Sequence, residues 1–479
     1  MNEVFAGTKT GHFEAFGIDH DSIRRVLLQV SKKGCDFGDV FFQHRIVRGL
    51  GLEDGKVDRA VASVDLGCGI RAVKGDQTGY AYSEDLDIIA LLRAADTASA
   101  IAAEGGPRPV PEVFSPTSLT PYYRTERPWE EAGVTVKKPL LDAMNAAAAG
   151  FDPRIKKVRI YFEDEVNRIL VADTDGRVTE DVQPMGTVYI SCLAEHNGRR
   201  EENYAHKSAR AGLEAFDAET LRALALDAAR KTVLLFDAAR PPPGEMPVVL
   251  AAGSSGILLH EAIGHGMEAD FNRKNISIYS GRIGERIAPA FVSIVDDATV
   301  AGARGAVNVD DEGNPGQRTV LVEGGVLRSY MHDRISAAHY KLAPTGNGRR
   351  QSFRHRPIPR MRCTYMLPGP DSTESIIASV KKGIYAVTFT NGQVQIGAGD
   401  FTFYIKTGFL IENGKLTRPI KDANIIGNGP KVLEQVTAVA ADMALDIGRW
   451  TCGKDGQSVP VSLGLPTIKV ASINVGGVK

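Results

Sequence analysis

The strongest constraint on how this chain folds comes from six residues that contain two histidines and a glutamate, His260, Glu261 and His265. Apolar residues precede them, which predicts a helix that ends near this point. The histidines are five positions apart, so on a regular helix their side chains differ in direction by about 140°. Both rings could face one ion only if the helix ends, loosens or bulges between them. Gly264 and Gly266 are the residues that would permit such a break.

The residue types in this stretch favour a metal site. Neutral imidazoles bind zinc, and a carboxylate beside a metal-bound water can take its proton. The spacing H-E-x-x-x-H is one residue longer than the H-E-x-x-H pattern of zinc proteases. A catalytic zinc needs a third protein ligand, and thiolate is the strongest donor available. Cys452 has a flexible neighbour in Gly453, and Lys454 could help to hold the thiolate. Several carboxylates and three histidines remain alternatives: His332, His339 and His355.

The composition excludes several other classes of protein. The chain has 479 residues, enough for two or three domains, with 43% hydrophobic and 24% charged residues. Its net charge of −1 gives no general attraction to nucleic acid or to an anionic membrane. The five cysteines are widely spaced, which favours a reducing compartment over a disulfide framework. With no signal peptide or membrane span evident in the sequence, we expect a cytoplasmic protein.

Residues 1–240 predict an N-terminal α/β domain, in which helices flank an antiparallel sheet. A helix capped by Asp19 is followed by strands, and another helix begins at the capping Asp217. Hairpin turns are predicted at Asp54-Gly55, Asp175-Gly176 and Asn197-Gly198. Closely spaced prolines rule out regular structure over most of residues 105–135. A proline-rich linker then ends at Gly244.

Residues 245–479 predict a C-terminal β-rich domain, barrel-like or sandwich, that carries the metal-site helix. Its short strand candidates are separated by many glycine turns. One further helix is predicted over about residues 431–445. The whole chain is therefore expected to have an α+β fold.

Beyond these local patterns, the chain resembles the TldD/PmbA family of metalloproteases, and within it the TldD branch, since the PmbA-like branch generally lacks H-E-x-x-x-H. The resemblance covers nearly the whole chain. Its stretches are Gly38–Gln43, His260–Lys274, Asp310–Gln317, Arg356–Met361, Leu410–Lys415, Gly427–Pro430 and Cys452–Gln457. One departure follows Met361, where Arg362-Cys363 stands in place of the expected Thr-Asn, which implies different substrate contacts nearby.

The resemblance implies a zinc-dependent endopeptidase that acts on unfolded or small peptides. It assigns His260, His265 and Cys452 as zinc ligands and Glu261 as the catalytic base. Glu261 would then activate a zinc-bound water as the nucleophile. The resemblance also implies a dimer, formed with a PmbA/TldE-like paralogue or with a second copy of the chain. No other cofactor, no nucleic acid and no membrane is expected as a partner.

A second function from another class stays open at this point. Some family members are described as modulators of DNA gyrase, so the chain could be a non-catalytic protein-binding protein with a structural metal or none. Six arginines crowd around His355 within residues 349–362. They favour a structural or peptide-carboxylate-binding loop over a nucleic-acid patch, because the chain is otherwise neutral and aromatic interleaving is slight.

Overall fold

A computed structural model describes residues 11–102, 106–395 and 397–477. The first half forms one seven-stranded sheet in the order β3-β2-β1-β5-β6, with β4 and β7 both paired to β6. All pairings are antiparallel except that of β4 with β6. Its strands are β1 (Phe37–Glu53), β2 (Lys56–Lys74), β3 (Gln77–Ser83), β4 (Ser115–Pro116), β5 (Ile155–Asp173), β6 (Arg177–His196) and β7 (Arg199–Ala209).

Among the described residues of the first half, four α-helices cover this sheet: α1 (His20–Ser31), α2 (Ile88–Ser99), α3 (Val134–Ala149) and α4 (Ala218–Leu234). Helices α1 and α2 share one apolar core with β1 and β2, and helices α3 and α4 share another with β5, β6 and β7. The predicted caps are present, since Asp19 accepts a hydrogen bond from the Ser22 N–H and Asp217 from the Thr220 N–H. Short 3₁₀ helices span His12–Phe16, Ala100–Ala102, Trp129–Glu131 and Leu213–Phe216.

The predicted hairpin turns join neighbouring long strands. At the β1–β2 turn, Asp54 and Gly55 have φ of 49° and 79°, the left-handed conformation that an Asp-Gly turn requires. The proline-rich segment has little regular structure: between residues 106 and 133 it contains β4 and one 3₁₀ turn. Residue 105, where this segment was predicted to begin, lies outside the described residues.

The described residues of the second half contain the strands β8 to β24 and five short helices. The helices are α5 (Ile257–Leu259), α6 (Ala269–Arg273), α7 (Arg334–Tyr340), α8 (Thr373–Ala378) and α9 (Gly429–Glu434). The strands are β8 (Gly244–Leu250), β9 (Ile294–Asp297), β10 (Arg318–Glu323), β11 (Val326–Leu327), β12 (Gly348–Arg349), β13 (Ile358–Pro359), β14 (Cys363–Met366), β15 (Lys382–Gln395), β16 (Asp400–Glu412), β17 (Lys415–Ile420), β18 (Ala423–Asn428), β19 (Val436–Val439), β20 (Ala444–Leu445), β21 (Thr451–Lys454), β22 (Gln457–Pro460), β23 (Ser462–Leu465) and β24 (Ile468–Gly477).

Five of these strands close into a barrel in the order β15-β8-β24-β18-β16, because β16 also pairs with β15. The α+β fold class and the β-rich second half are therefore confirmed, with a barrel rather than a sandwich at its centre. A six-stranded sheet, β11-β10-β9-β14-β23-β20, packs beside the barrel, and β12-β13 and β21-β22 form two small hairpin-like pairs. One continuous apolar core joins the barrel, this sheet and α5.

The helix predicted over residues 431–445 is wrong for most of its length. Helix α9 ends at Glu434, and the chain continues as β19, which pairs with β24. The β-branched residues Val436 and Val439 are buried in that pairing. Burial against a neighbouring strand outweighs the weak helical tendency of the alanines that follow.

The two halves are joined by a buried ionic cluster around Arg71. Its guanidinium binds Asp39 of β1, and its Nη1 donates to Glu312 of the second half at 2.7 Å. All three side chains are fully buried. The division into residues 1–240 and 245–479 stays a prediction, and residues 1–10 and 478–479 lie outside the described part. None of the described helices is long and apolar enough to span a membrane.

Candidate metal centre

The two histidines lie on a π-helical turn. Helix α5 continues as a π-helix over His260–Gly264 and then as a 3₁₀ turn over His265–Met267. The His265 N–H donates to the His260 carbonyl, a hydrogen bond between residues five apart. This bond places the two residues one above the other, and their ring centroids are 5.0 Å apart. The predicted break in the helix is therefore confirmed as a π-bulge, a feature often found at functional sites.

The glycines act here through their size rather than through an unusual backbone angle. Gly264 has φ of −59°, which any residue can adopt. A Cβ atom on Gly264 would clash with the Met361 sulfur, and one on Gly429 would clash with the Ala262 carbonyl. Close packing on two sides thus holds the π-turn in place, and the glycine of the Gly427–Pro430 motif contributes to it.

Cys452 on β21 completes a cluster with both histidines. Its Sγ lies 3.4 Å from His265 Nε2, and one donor atom from each of the three residues lies within 4.8 Å of the others. The three side chains are only 2–6% exposed. The other third-ligand candidates lie elsewhere: His332 packs against the Tyr340 ring and His355 Nδ1 contacts the Ser352 hydroxyl.

The electrostatics of the cluster fit a bound cation. Burial would raise the pKa of Cys452, but His260 and His265 beside it lower that pKa well below its usual value. Burial would lower the pKa of His265, but the neighbouring Glu268 and Cys452 raise it well above its usual value. His260 Nδ1 is buried without a hydrogen-bond partner among the described residues. A thiolate and two imidazoles are a donor set that suits zinc.

Glu268 and Lys454 support the cluster from behind. His265 Nδ1 lies 2.9 Å from Glu268 Oε2, an arrangement that fixes the ring and leaves Nε2 facing the cluster. Lys454 Nζ lies 3.1 Å from the same oxygen and 2.7 Å from Asp270 Oδ1. Lys454 therefore holds these carboxylates rather than the thiolate, contrary to expectation. The sequence signal for Glu268 is its position three residues after His265, which places both on one side of a turn.

Glu261 faces a cavity of about 440 Å³, called here the metal cavity, which His260 also lines. Burial raises the pKa of Glu261. Residues from the first half complete the wall, among them Tyr204 and His206 of β7, so both halves form the cavity. No local pattern marks Tyr204 and His206 as site residues, because only the packing of the two halves brings them here.

Arg362 and Cys363 are fully buried. Arg362 Nε donates to Asp296 at 2.7 Å, and Cys363 lies in the central strand β14. This departure from the family pattern therefore lies in the core, with neither side chain exposed. Different substrate contacts nearby stay a prediction.

Three sequence profiles of the PmbA/TldA metallopeptidase family match the chain. The first covers residues 38–102, the central one residues 127–236 and the C-terminal one residues 243–477. A protein of Haemophilus influenzae named metalloprotease TldD homolog is 40% identical over 94% of both chains. The chain belongs to the PmbA/TldA metallopeptidase family. The predictions of this family and of a metallopeptidase are thereby confirmed.

Other relatives extend this comparison. A protein of Saccharolobus solfataricus named zinc metalloprotease TldD homolog is 38% identical over 50% of this chain and 53% of its own length. Two crystal structures share the fold. A Thermotoga maritima protein described as a candidate modulator of a DNA gyrase has a TM-score of 0.76 at 20% identity, covering 95% of this chain and 99% of its own. TldE from Thermococcus kodakarensis has a TM-score of 0.74 at 16% identity, covering 95% and 100%.

Proposed function

We propose that this metallopeptidase-family chain is a zinc-dependent endopeptidase that cleaves unfolded or short peptides. The observation that carries the proposal is the cluster of one thiolate and two imidazoles within 4.8 Å, beside a cavity that Glu261 also lines. His260, His265 and Cys452 would hold the zinc. Three protein ligands leave one position open, as in catalytic rather than structural zinc sites. The name of the Saccharolobus solfataricus relative supports the choice of metal.

Zinc bound there would lower the pKa of a water molecule and polarise the substrate carbonyl. The carboxylate of Glu261 takes the proton from the attacking water. It then donates that proton to the nitrogen of the leaving amine. The raised pKa of Glu261 suits this second step, because a carboxyl group with a higher pKa holds its proton more firmly until transfer. Glu268 keeps the His265 ring oriented throughout.

The hairpin that carries Cys452 supports recognition of extended peptides. Strand β21 pairs with β22, and neither pairs with another strand among the described residues. The outer edge of β21 can therefore accept a substrate backbone by strand addition, which reads main-chain groups and gives low sequence specificity. Cleavage of a library of unrelated peptides tests this point, and hydrolysis of a single sequence would contradict it.

The proposed assembly is a dimer with a PmbA/TldE-like paralogue or with a second copy. The fold shared with TldE supports a dimer. The β1–β2 hairpin also has exposed valines that a partner could cover, since Val61 is 49% and Val64 62% exposed. Light scattering of the chain alone, and after mixing with a paralogue, measures the assembly. The proposed location is the cytoplasm, supported by five free cysteines.

The deciding experiment separates the proposed base from the proposed ligands. Glu261→Gln should retain one zinc per chain but lose peptide hydrolysis, whereas Cys452→Ala should lose zinc as well. Cys363→Ala is the matched control, because Cys363 is an equally buried thiol outside the cluster. Zinc content and hydrolysis of unfolded casein are measured on all three variants. Wild-type hydrolysis by Glu261→Gln would contradict the assigned base.

The alternative function, a non-catalytic modulator that binds a protein partner, is tested by the same measurements. We retain this alternative because the chain shares its fold with the Thermotoga maritima protein. Wild-type protein that holds zinc yet cleaves no peptide, alone or with its paralogue, would favour this alternative. Chelator-sensitive cleavage would exclude it.

A further inference from the structure

A second cavity of about 270 Å³ adjoins the metal cavity. Arg449 and Thr451, which lie three residues and one residue before Cys452, line both cavities. Its other walls come from β1, β5 and β6 and the residue after β7 in the first half, and from residues 304–311, residues 349–351 and the β21–β22 hairpin in the second. A peptide bound across the metal cavity would therefore have this second cavity beside it.

Positive charge dominates the lining of the second cavity, which is called here the arginine cavity. Six arginines and four carboxylates line it, so two positive charges are in excess. The arginines are Arg45, Arg210, Arg304, Arg349, Arg350 and Arg449. The carboxylates are Glu163, Glu165, Asp310 and Asp311. Buried charges in proteins are normally paired, so an excess of one sign calls for a ligand of the other.

Three of the four carboxylates already have partners. Glu165 pairs with Arg45 at 2.6 Å. Asp310 accepts backbone N–H groups, including that of Gly348 at 3.0 Å. Asp311 accepts the backbone N–H of Arg350 at 2.7 Å. Only Arg45 and Glu165 pair with each other among these lining charges, and Arg350 has Asp39, outside the lining, 3.8 Å away. Arg210, Arg304 and Arg349 form no ion pair within 4 Å with a described residue.

Arg210 is the clearest case. It is only 4% exposed, yet its guanidinium has no hydrogen bond or ion pair with any described residue. Its Nε is buried without a hydrogen-bond partner, and its guanidinium carbon lies 5.5 Å from the centre of the Tyr123 ring. Asp181 and Asp311 are its charged neighbours, but neither forms an ion pair with it within 4 Å. Arg304 and Arg349 bond neutral oxygens, such as the Trp450 and Met361 carbonyls.

The neighbouring arginines also respond to this unpaired charge. Burial and the proximity of Arg210 lower the pKa of Arg304 and of Arg349 to about 10. An anion placed among the three groups would relieve both effects, because it would pair the charges and replace the lost solvent.

A hydrogen-bonded row of amides forms the floor of the arginine cavity. Gln43 Nε2 donates to Asn167 Oδ1 at 2.9 Å, and Asn167 Nδ2 donates to Gln183 Oε1 at 3.0 Å. All three side chains are at most 8% exposed. The floor is therefore fixed by strands β1, β5 and β6, and the arginines stand over a rigid base.

We propose that the arginine cavity binds a carboxylate group of the peptide substrate. Guanidinium groups match carboxylates in geometry and can bind them through two parallel hydrogen bonds. The volume suits the end of a peptide rather than a folded partner. This proposal rests on the proposed peptidase function, and it adds a substrate class: peptides that place a terminal or side-chain carboxylate near the scissile bond.

The test uses zinc-loaded Glu261→Gln protein, which binds peptides without cleaving them. One short peptide is prepared in three forms: with a free C-terminal carboxylate, with a C-terminal amide, and as the amide with glutamate as its last residue. Calorimetry should show the free acid binding about ten-fold or more tightly than the plain amide, as charge-assisted hydrogen bonds do. Affinity of the glutamate amide equal to that of the free acid identifies a side-chain carboxylate as sufficient. A weaker affinity identifies the terminal one.

In protein that carries both Glu261→Gln and Arg210→Gln, the affinities for the free acid and the plain amide should differ by no more than about two-fold. Arg200→Gln is the control, since Arg200 lies on the surface of β7 and is outside the cavity. Three results would overturn the proposal: equal affinities for all three forms, no binding of any form, or a full preference for the acid in folded Arg210→Gln. The comparison of peptides needs no cavity variant, so it holds even if Arg210→Gln fails to fold.

Failure of this proposal is distinguishable from failure of the peptidase function. If zinc-loaded wild type cleaves peptides but treats acid and amide alike, the peptidase stands and the cavity proposal falls. If it binds the acid preferentially but cleaves nothing, the cavity proposal stands and the peptidase falls.

Discussion

The metal cavity and the arginine cavity share part of one wall but differ in the charge that each requires. In the metal cluster, the sulfur of Cys452 and two imidazoles converge, and the proposed zinc would bind all three. In the arginine cavity, guanidinium groups converge, and only an anion satisfies them. Opposite requirements on two sides of one hairpin would orient a peptide, with its carbonyl near the metal and its carboxylate near the arginines.

Removal of the metal should give the largest difference in behaviour between the metal cavity and the arginine cavity. We expect chelation to reduce peptide hydrolysis by about 10³-fold or more, because water activation is lost. The chelated protein should still prefer the free-acid peptide over the amide in a binding assay, since the arginines remain. Re-addition of zinc is the control and should restore hydrolysis. Loss of the acid preference together with the metal would contradict the independence of the two cavities.

Two buried arginines should respond in opposite ways to removal of their charge. Arg362→Met should destabilise the fold by about 3–5 kcal/mol, because it leaves Asp296 buried without its partner. Arg210→Met should leave stability unchanged or raise it, since Arg210 has no partner to lose among the described residues. Urea unfolding of both variants measures the difference. Equal destabilisation would mean that Arg210 has a structural role.

Glu268→Gln should weaken zinc binding by about 10- to 100-fold, as the loss of a carboxylate behind a ligating histidine does. The reason is that Glu268 Oε2 fixes the His265 ring through Nδ1. Asp270→Asn is the control, because Asp270 contacts Lys454 in the same network but does not contact His265. Competition with a zinc-sensitive dye compares the affinities, and equal losses in both variants would count against a specific role for Glu268.

Gly264→Ala should destabilise the fold by about 1–3 kcal/mol, because its Cβ would overpack against Met361. Gly133→Ala serves as the control, because a Cβ at that position meets no atom within 4 Å. Thermal unfolding compares the two. A stability of Gly264→Ala equal to that of Gly133→Ala would show that the π-turn tolerates a side chain.

Local sequence signals predicted much of the fold and half of the site. The Asp-Gly turns and the aspartate caps depend on neighbouring residues alone, and they form as expected. The break between His260 and His265 follows from their spacing, because five residues do not fit one turn of an α-helix. These features need no knowledge of distant contacts.

The rest depends on packing between distant segments. Cys452 approaches His265 across 187 positions, and residue chemistry alone left several histidines as alternatives. His206 and Arg210 acquire their positions only when the two halves meet. The helix expected after Glu434 does not form, because the chain there pairs with the distant strand β24 and becomes strand β19.

The most direct test of the metal centre is anomalous X-ray diffraction from zinc-loaded crystals at the zinc absorption edge. We predict one peak per chain, bonded to His260 and His265 at about 2.0–2.1 Å and to Cys452 at about 2.3 Å. A peak elsewhere, or a zinc at this position without the Cys452 sulfur in its coordination shell, would contradict the assigned centre.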